Sequence, residues 1–144
     1  MWRKRLLKLC PGAELGPACA PVVLKKAEKA LGVAFPEELR KLLADADGVV
    51  TEDGLDLIWP AARIREDNLA FRSNRDFEKL YMSFESLLFF ADASNGDQFA
   101  FAICGGVISR SDVFVWDHET DSRNWVAPSL ERYVEWLVSG KIEV

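Results

Sequence analysis

A chain of 144 residues that is 49% hydrophobic and 28% charged has the length of one domain and enough apolar side chains to bury a core, which excludes a mostly disordered chain. Its net charge is −5 and is unevenly spread: Arg3, Lys4, Arg5 and Lys8 against Glu14 make residues 1–20 +3, leaving −8 on the remainder. An acidic body repels phosphate, which argues against direct nucleic-acid binding, and it suits a basic protein partner.

Residues 1–19 start basic and then turn apolar at Leu6 and Leu7, as a secretory leader does. Lys8 and Pro11-Gly12 end that run far short of the roughly 7–15 apolar residues a leader needs. Nothing elsewhere reaches the ~18 apolar residues of a membrane-spanning helix. The segment therefore reads as a short basic arm, or a helix packed on a domain at 20–144, and cytoplasmic retention is the expectation. Pro21 opens a helix that Gly32 ends, with Val23, Ala27, Ala30 and Leu31 at helical spacing. Pro36 starts a second helix, with Glu37 and Glu38 in its positive first turn and an apolar stripe at Leu39, Leu42, Leu43 and Ala46. Leu55–Trp59 reads as a strand stopped by Pro60, which starts a helix through Leu69 and Phe71. Arg72–Asp76 reads as a loop or a frayed helix end.

Leu87–Ala93 and Gln98–Cys104 flank Ser94-Asn95-Gly96-Asp97, a turn sequence that predicts a hairpin. Gly105-Gly106 marks a second turn, and Val113–Trp116 is apolar on both faces, as a covered central strand is. Asn124–Val126 adds an edge strand. Ser129 caps a closing helix with a stripe at Leu130, Tyr133, Val134 and Leu137, ended by Gly140. Helices, then strands, then a helix make an α+β domain: a twisted, mostly antiparallel sheet with an N-terminal helix pair and a C-terminal helix packed against it.

The chemistry-bearing residues are few. Cys10, Cys19 and Cys104 form no CxxC, and with one histidine no common zinc set can be completed. All three read as free thiols in a reducing compartment, with Cys104 a small core residue. Asp92, Asn95 and Asp97 miss the spacing of a calcium-binding EF-hand and read as a turn. Gly105-Gly106 lacks the lysine and helix start of a phosphate loop. No metal or cofactor is expected. His118, in Asp117-His118-Glu119, could act as a base oriented by a carboxylate, and a small hydrolase would use it so. No GxSxG-type nucleophile accompanies it, and a polar strand end is the plainer reading. Asp45, Asp47, Glu52, Asp53 and Asp56 cluster around the helix–strand junction, where they form a solvated face or a surface for a basic partner. Trp59 and Trp125 lie at element ends, where an exposed indole beside carboxylates is good interface material; Trp116 and Trp136 belong to the core. The candidate partner-binding residues are Asp45, Asp47, Glu52, Asp53, Asp56, Trp59, Asp92, Asp97 and Glu119, with no catalytic residue among them.

Lys26-Ala27-Glu28-Lys29-Ala30-Leu31-Gly32, then Phe35-Pro36-Glu37-Glu38-Leu39 and Asp47-Gly48, resemble the opening of the SMI1/KNR4, or SUKH, superfamily. Phe90-Ala91, Asn95-Gly96-Asp97, Phe99-Ala100-Phe101 and Val113–Glu119 resemble its central strands, and Ser129–Leu137 its closing helix. The resemblance covers about residues 20–140. It implies an α+β domain that, in many bacterial members, is an immunity protein neutralising a cognate toxin, often a nuclease; other members are regulatory scaffolds. The chain departs from the pattern at Ala102, where an acidic residue often stands, and over Leu69–Phe84, which has no clear counterpart.

Overall fold

The computed structural model describes residues 1–143. Helix α1 (Trp2–Leu9) and strand β1 (Glu14–Leu15) precede helices α2 (Pro21–Leu31) and α3 (Glu37–Asp45). Short strands β2 (Val49–Val50) and β3 (Asp56–Ile58) lead to α4 (Ala61–Ser73), α5 (Arg75–Leu80) and a 3₁₀ turn at Phe84–Ser86. Strands β4 (Leu87–Asp92), β5 (Gln98–Ala102), β6 (Val113–Trp116) and β7 (Arg123–Ala127) then form a meander closed by α6 (Leu130–Val138).

The α+β architecture expected from the sequence is present, with its strands divided between two antiparallel sheets, β1-β2-β3 and β4-β5-β6-β7. One main-chain bond links them, from the Trp59 N–H to the Phe90 carbonyl, 2.8 Å. Local chemistry explains most boundaries. Pro21 occupies the first turn of α2, and Gly32 ends it at φ 68°, a left-handed conformation that other residues adopt at a steric cost. Ser129 caps α6 by accepting from the Arg132 N–H. The segment Arg72–Asp76, expected as a loop or a frayed helix end, is the junction of two helices. Asn74 ends α4 and caps α5 through bonds from the Asp76 and Phe77 N–H groups, a polar run that punctuates helices without breaking them.

Residues 1–19, read as a short basic arm or a helix packed on the domain, share its core. Trp2 and Leu6 are buried with Leu39, Leu42 and Leu43, because α1 turns its apolar side onto α3 while its lysines and arginines face outward. The main core lies between the sheets and the helices. Phe90 and Phe99 meet the ring of Tyr133 on α6, and that tyrosine donates to the Leu57 carbonyl at 2.9 Å. A second aromatic layer, Phe71, Phe77, Tyr81, Phe84, Phe89 and Trp116, packs α4 and α5 against the opposite side of the four-stranded sheet. Among the described residues no helix is long and apolar enough to cross a membrane.

Cys104 departs from its expected core position. It is exposed, because β5 ends at Ala102 and the Cys104 N–H and carbonyl pair with Val107 around Gly105-Gly106, turning the side chain outward. Cys10 and Cys19 are buried free thiols.

Candidate functional site

Several carboxylates singled out in the sequence are structural. Asp45 Oδ2 accepts from the Trp2 N–H at 2.8 Å and from the chain's amino terminus at 3.3 Å, so it caps α1 from the end of α3. The Trp2 N–H, then the terminal ammonium, hold the Asp45 carboxyl below the ordinary aspartate range. Asp47 Oδ1 accepts from the Ala61 N–H at 2.8 Å and caps α4 in the same way. Its own N–H donates to the Pro17 carbonyl, and Gly16 lies so close that a Cβ there would sit 2.1 Å from the Asp47 carbonyl oxygen. Only glycine permits that approach, which holds β1 beside the start of β2. Thr51 hydrogen-bonds Asp53 across the β2–β3 turn, where Glu52 and Asp53 are exposed.

The carboxylates the fold does gather meet on Arg63, a residue outside the sequence-stated candidates. Its guanidinium reaches Asp67 at 2.9 Å, Asp92 at 2.9 Å and Asp56 at 3.2 Å. It lies 4.1 Å from the centroid of the Trp59 ring. Three carboxylates on one guanidinium leave two net negative charges in a partly exposed cluster. Adjoining it is a shallow groove of about 230 Å³, lined by Glu14, Asp47 and Asp56 together with Leu15, Val50 and Pro60. Among the described residues no lysine or arginine lines the groove; the cations beside it are Arg63, on Asp56, and Arg3, which donates to the Gly16 and Asp45 carbonyls. Asp56 belongs to both groove and cluster, so Glu14, Asp56, Asp67 and Asp92 form one acidic face, with Asp47 engaged beside them as the cap of α4. The Arg63–Asp67 spacing of four residues on one helix was legible as a pair; its convergence with Asp56 and Asp92 required β3 and β4 to be neighbours.

Trp59, expected at a surface, is fully buried, and its indole nitrogen has no hydrogen-bond partner. It lies between β3 and α4, where the bond to Phe90 draws the chain inward, and offers nothing to a partner. Trp125 is exposed.

The His118 region forms a separate junction. Asp97, nearly buried, lies 2.6 Å from His118 Nδ1 and also accepts from the His118 N–H at 3.1 Å. The hydrogen bond that Asp97 accepts from the ring, chiefly, raises the imidazole above its ordinary value. Tyr81 donates to the His118 carbonyl at 2.7 Å, and Asp97 accepts nothing from Asn95 but donates its N–H to the Asn95 side chain at 3.1 Å, as expected of an Asx turn. Three elements are thereby pinned together: α5, the β4–β5 turn and the β6–β7 turn. Ligand atoms of Asp97, Asp117 and His118 lie within 4.8 Å of one another. Asp97 Oδ1 and His118 Nδ1 are bonded to each other, and Asp117 Oδ1 accepts from the Glu119 and Thr120 N–H groups. Among the described residues no serine, threonine or cysteine side chain hydrogen-bonds His118. Glu119 is exposed at the tip of that turn, apart from the Arg63 cluster.

A family model described as SMI1-KNR4 cell-wall, of the SUKH group, matches residues 23–134. No curated protein matches the chain. The matched span runs from α2 into α6 and takes in both sheets except β1, so the chain belongs to the SMI1/KNR4 (SUKH) family.

Proposed function

We propose that this SMI1/KNR4 family member is a non-enzymatic protein-binding domain, an immunity protein that neutralises a basic toxin, nuclease-like in chemistry, by covering its active cleft. The observation that carries the reading is the acidic face: Glu14 in the groove, and Asp56, Asp67 and Asp92 set against Arg63. A cleft that holds nucleic-acid phosphate is lined with lysine and arginine, and this face presents carboxylates to the same cations. Family membership supports a role in protein–protein interaction. Complementary charge speeds encounter and fixes orientation, and its effect falls as salt screens it. Blocking needs a surface and no reaction, and among the described residues no serine, threonine or cysteine side chain hydrogen-bonds His118 as a nucleophile would.

The test is co-expression with a toxin gene lying beside this one. Wild-type chain rescues growth, and the purified pair binds one to one with an affinity that falls as salt rises. The triple reversal Glu14→Lys, Asp56→Lys and Asp92→Lys weakens binding by about tenfold or more, at roughly 0.2–1 kcal/mol per exposed pair lost and further for repulsion gained. Unchanged binding and protection in a folded triple variant refutes the acidic-face mechanism.

A further inference from the structure

The two outer edges of the four-stranded sheet are finished differently. At β4 the edge is sealed. Arg72 donates to the Leu87 carbonyl at 3.3 Å, the Asn68 side chain pairs with both amide groups of Phe89 at 2.9 Å each, and the Trp59 N–H takes the Phe90 carbonyl. At β7, among the described residues, no side chain or loop hydrogen-bonds the main chain of Arg123 or Trp125. The preceding turn shows where those groups point. The Asp117 N–H donates to the Ser122 carbonyl at 2.9 Å, and the register pairs Val115 with Asn124 and Phe114 with Trp125. Hydrogen-bonded pairs alternate along an antiparallel ladder, so Asn124 turns its main chain toward β6 while Arg123 and Trp125 turn theirs away. Asn124 is exposed and Trp125 is 51% exposed. Within its bounds the strand carries no proline or lysine; its protection against pairing is confined to Arg123, whose guanidinium is turned onto Asp121, and to the bulge that follows Trp125.

An apolar groove of about 390 Å³ borders this edge, lined by Trp125, Val126, Trp136 and Ile142 with Lys141 and Glu143 at its rim. The two indoles lie 6.4 Å apart. Charges around it are balanced: Arg123 pairs with Asp121 at 3.2 Å, Arg110 with Asp112 at 2.6 Å and Arg132 with Glu135 at 3.0 Å, while Lys141 and Glu143 are one of each sign. On a chain of net charge −5 this is a neutral strip, one that a second equally acidic copy can approach without repulsion.

We propose that β7 is a homodimer edge, pairing antiparallel with β7 of a second copy about a two-fold axis at Trp125. Each four-stranded sheet then continues into its partner's. The register sets Trp125 against Trp125 and Asn124 against Val126, with no like charges opposed; the bulge between Trp125 and Ala127 turns Ala127 back toward β6, so the contact is centred on the Trp125 pair. The outward N–H and carbonyl groups of Trp125 find partners, and the indoles of both copies close over the grooves. The acidic face lies on β1, β3, α4 and β4, the edge opposite β7, so this contact is independent of the toxin-binding reading.

Sedimentation velocity on the full chain over about a hundredfold dilution tests it, since dimerisation is concentration-dependent. The expected result is a species of twice the 16.2 kDa chain mass that dissociates on dilution. Trp125→Lys sets ammonium against ammonium at the axis, and Trp125→Pro removes the outward N–H. Each weakens the dimer at least about tenfold, as loss of a central aromatic anchor does, with the far-ultraviolet circular dichroism unchanged. Met82→Lys, on an exposed apolar side chain of the loop after α5, leaves the dimer intact. A 16.2 kDa species at every concentration overturns the proposal. So does a dimer indifferent to Trp125→Lys, which keeps the test decisive if the proline variant misfolds.

Discussion

Replacing Asn68 with alanine is expected to be among the most damaging single changes in this chain. Asn68 is buried at 1% exposure on α4, and its amide behaves as an extra strand residue: Nδ2 donates to the Phe89 carbonyl and Oδ1 accepts from the Phe89 N–H, both at 2.9 Å. Phe89 is itself buried, and its pairing with Ala100 leaves those groups facing the β4 edge. Truncation strands one donor and one acceptor away from water. Each costs about 1–3 kcal/mol, so the loss is about 2–6 kcal/mol, a large part of the ~5–15 kcal/mol that holds a domain together. Urea denaturation followed by circular dichroism measures it as a fall in midpoint at unchanged slope. Asn68→Asp supplies a second arm. It keeps the acceptor and replaces the donor with a carboxylate oxygen facing the Phe89 and Ile64 carbonyls. It should be at least as destabilising near neutrality and recover in part when acid protonates it. A loss below about 1 kcal/mol in Asn68→Ala would refute the edge-sealing account, because it would mean that water or a relaxed strand satisfies Phe89.

Other expectations rest on the remaining junctions. Asp45→Ala should cost about 1 kcal/mol by uncapping α1. Because the Asp45 carboxyl is held low in the fold, its contribution is present above the ordinary aspartate value and disappears as pH falls through the lowered one, which denaturation midpoints in acid should show against the alanine variant. His118 has the opposite sign. Its imidazole is raised by Asp97, so the pair stabilises fully below the ordinary histidine value and fades as pH rises through the raised one. Asp97→Asn should bring the imidazole titration seen by proton magnetic resonance down toward that ordinary value. Arg63→Met should destabilise by about 1–2 kcal/mol at low salt, and by less at high salt, because it leaves Asp56, Asp67 and Asp92 facing one another; a salt-independent effect would show that lost packing on Trp59 dominates instead.

The amino-acid order determined the local pieces of this protein. Pro21 and Gly32 delimit α2, Ser129 caps α6, and the Asn95-Gly96 turn joins β4 to β5, because helix ends and tight turns are set by side chains within a few residues of one another. The family pattern was legible for the same reason, as an ordered run of such pieces. What faces water was not. Trp59 and Trp125 read alike in the sequence, yet one is sealed between β3 and α4 and the other stands on an open edge. Asp45 and Asp47 looked like free surface charge and are caps for helices that begin 43 and 14 residues away. Arg63 looked like one half of an ordinary helical pair until β3 and β4 brought it Asp56 and Asp92. Charge and type are properties of a residue, but whether a carboxylate is spent or available depends on which N–H groups and cations the fold brings within about 3 Å, and only the tertiary structure decides that.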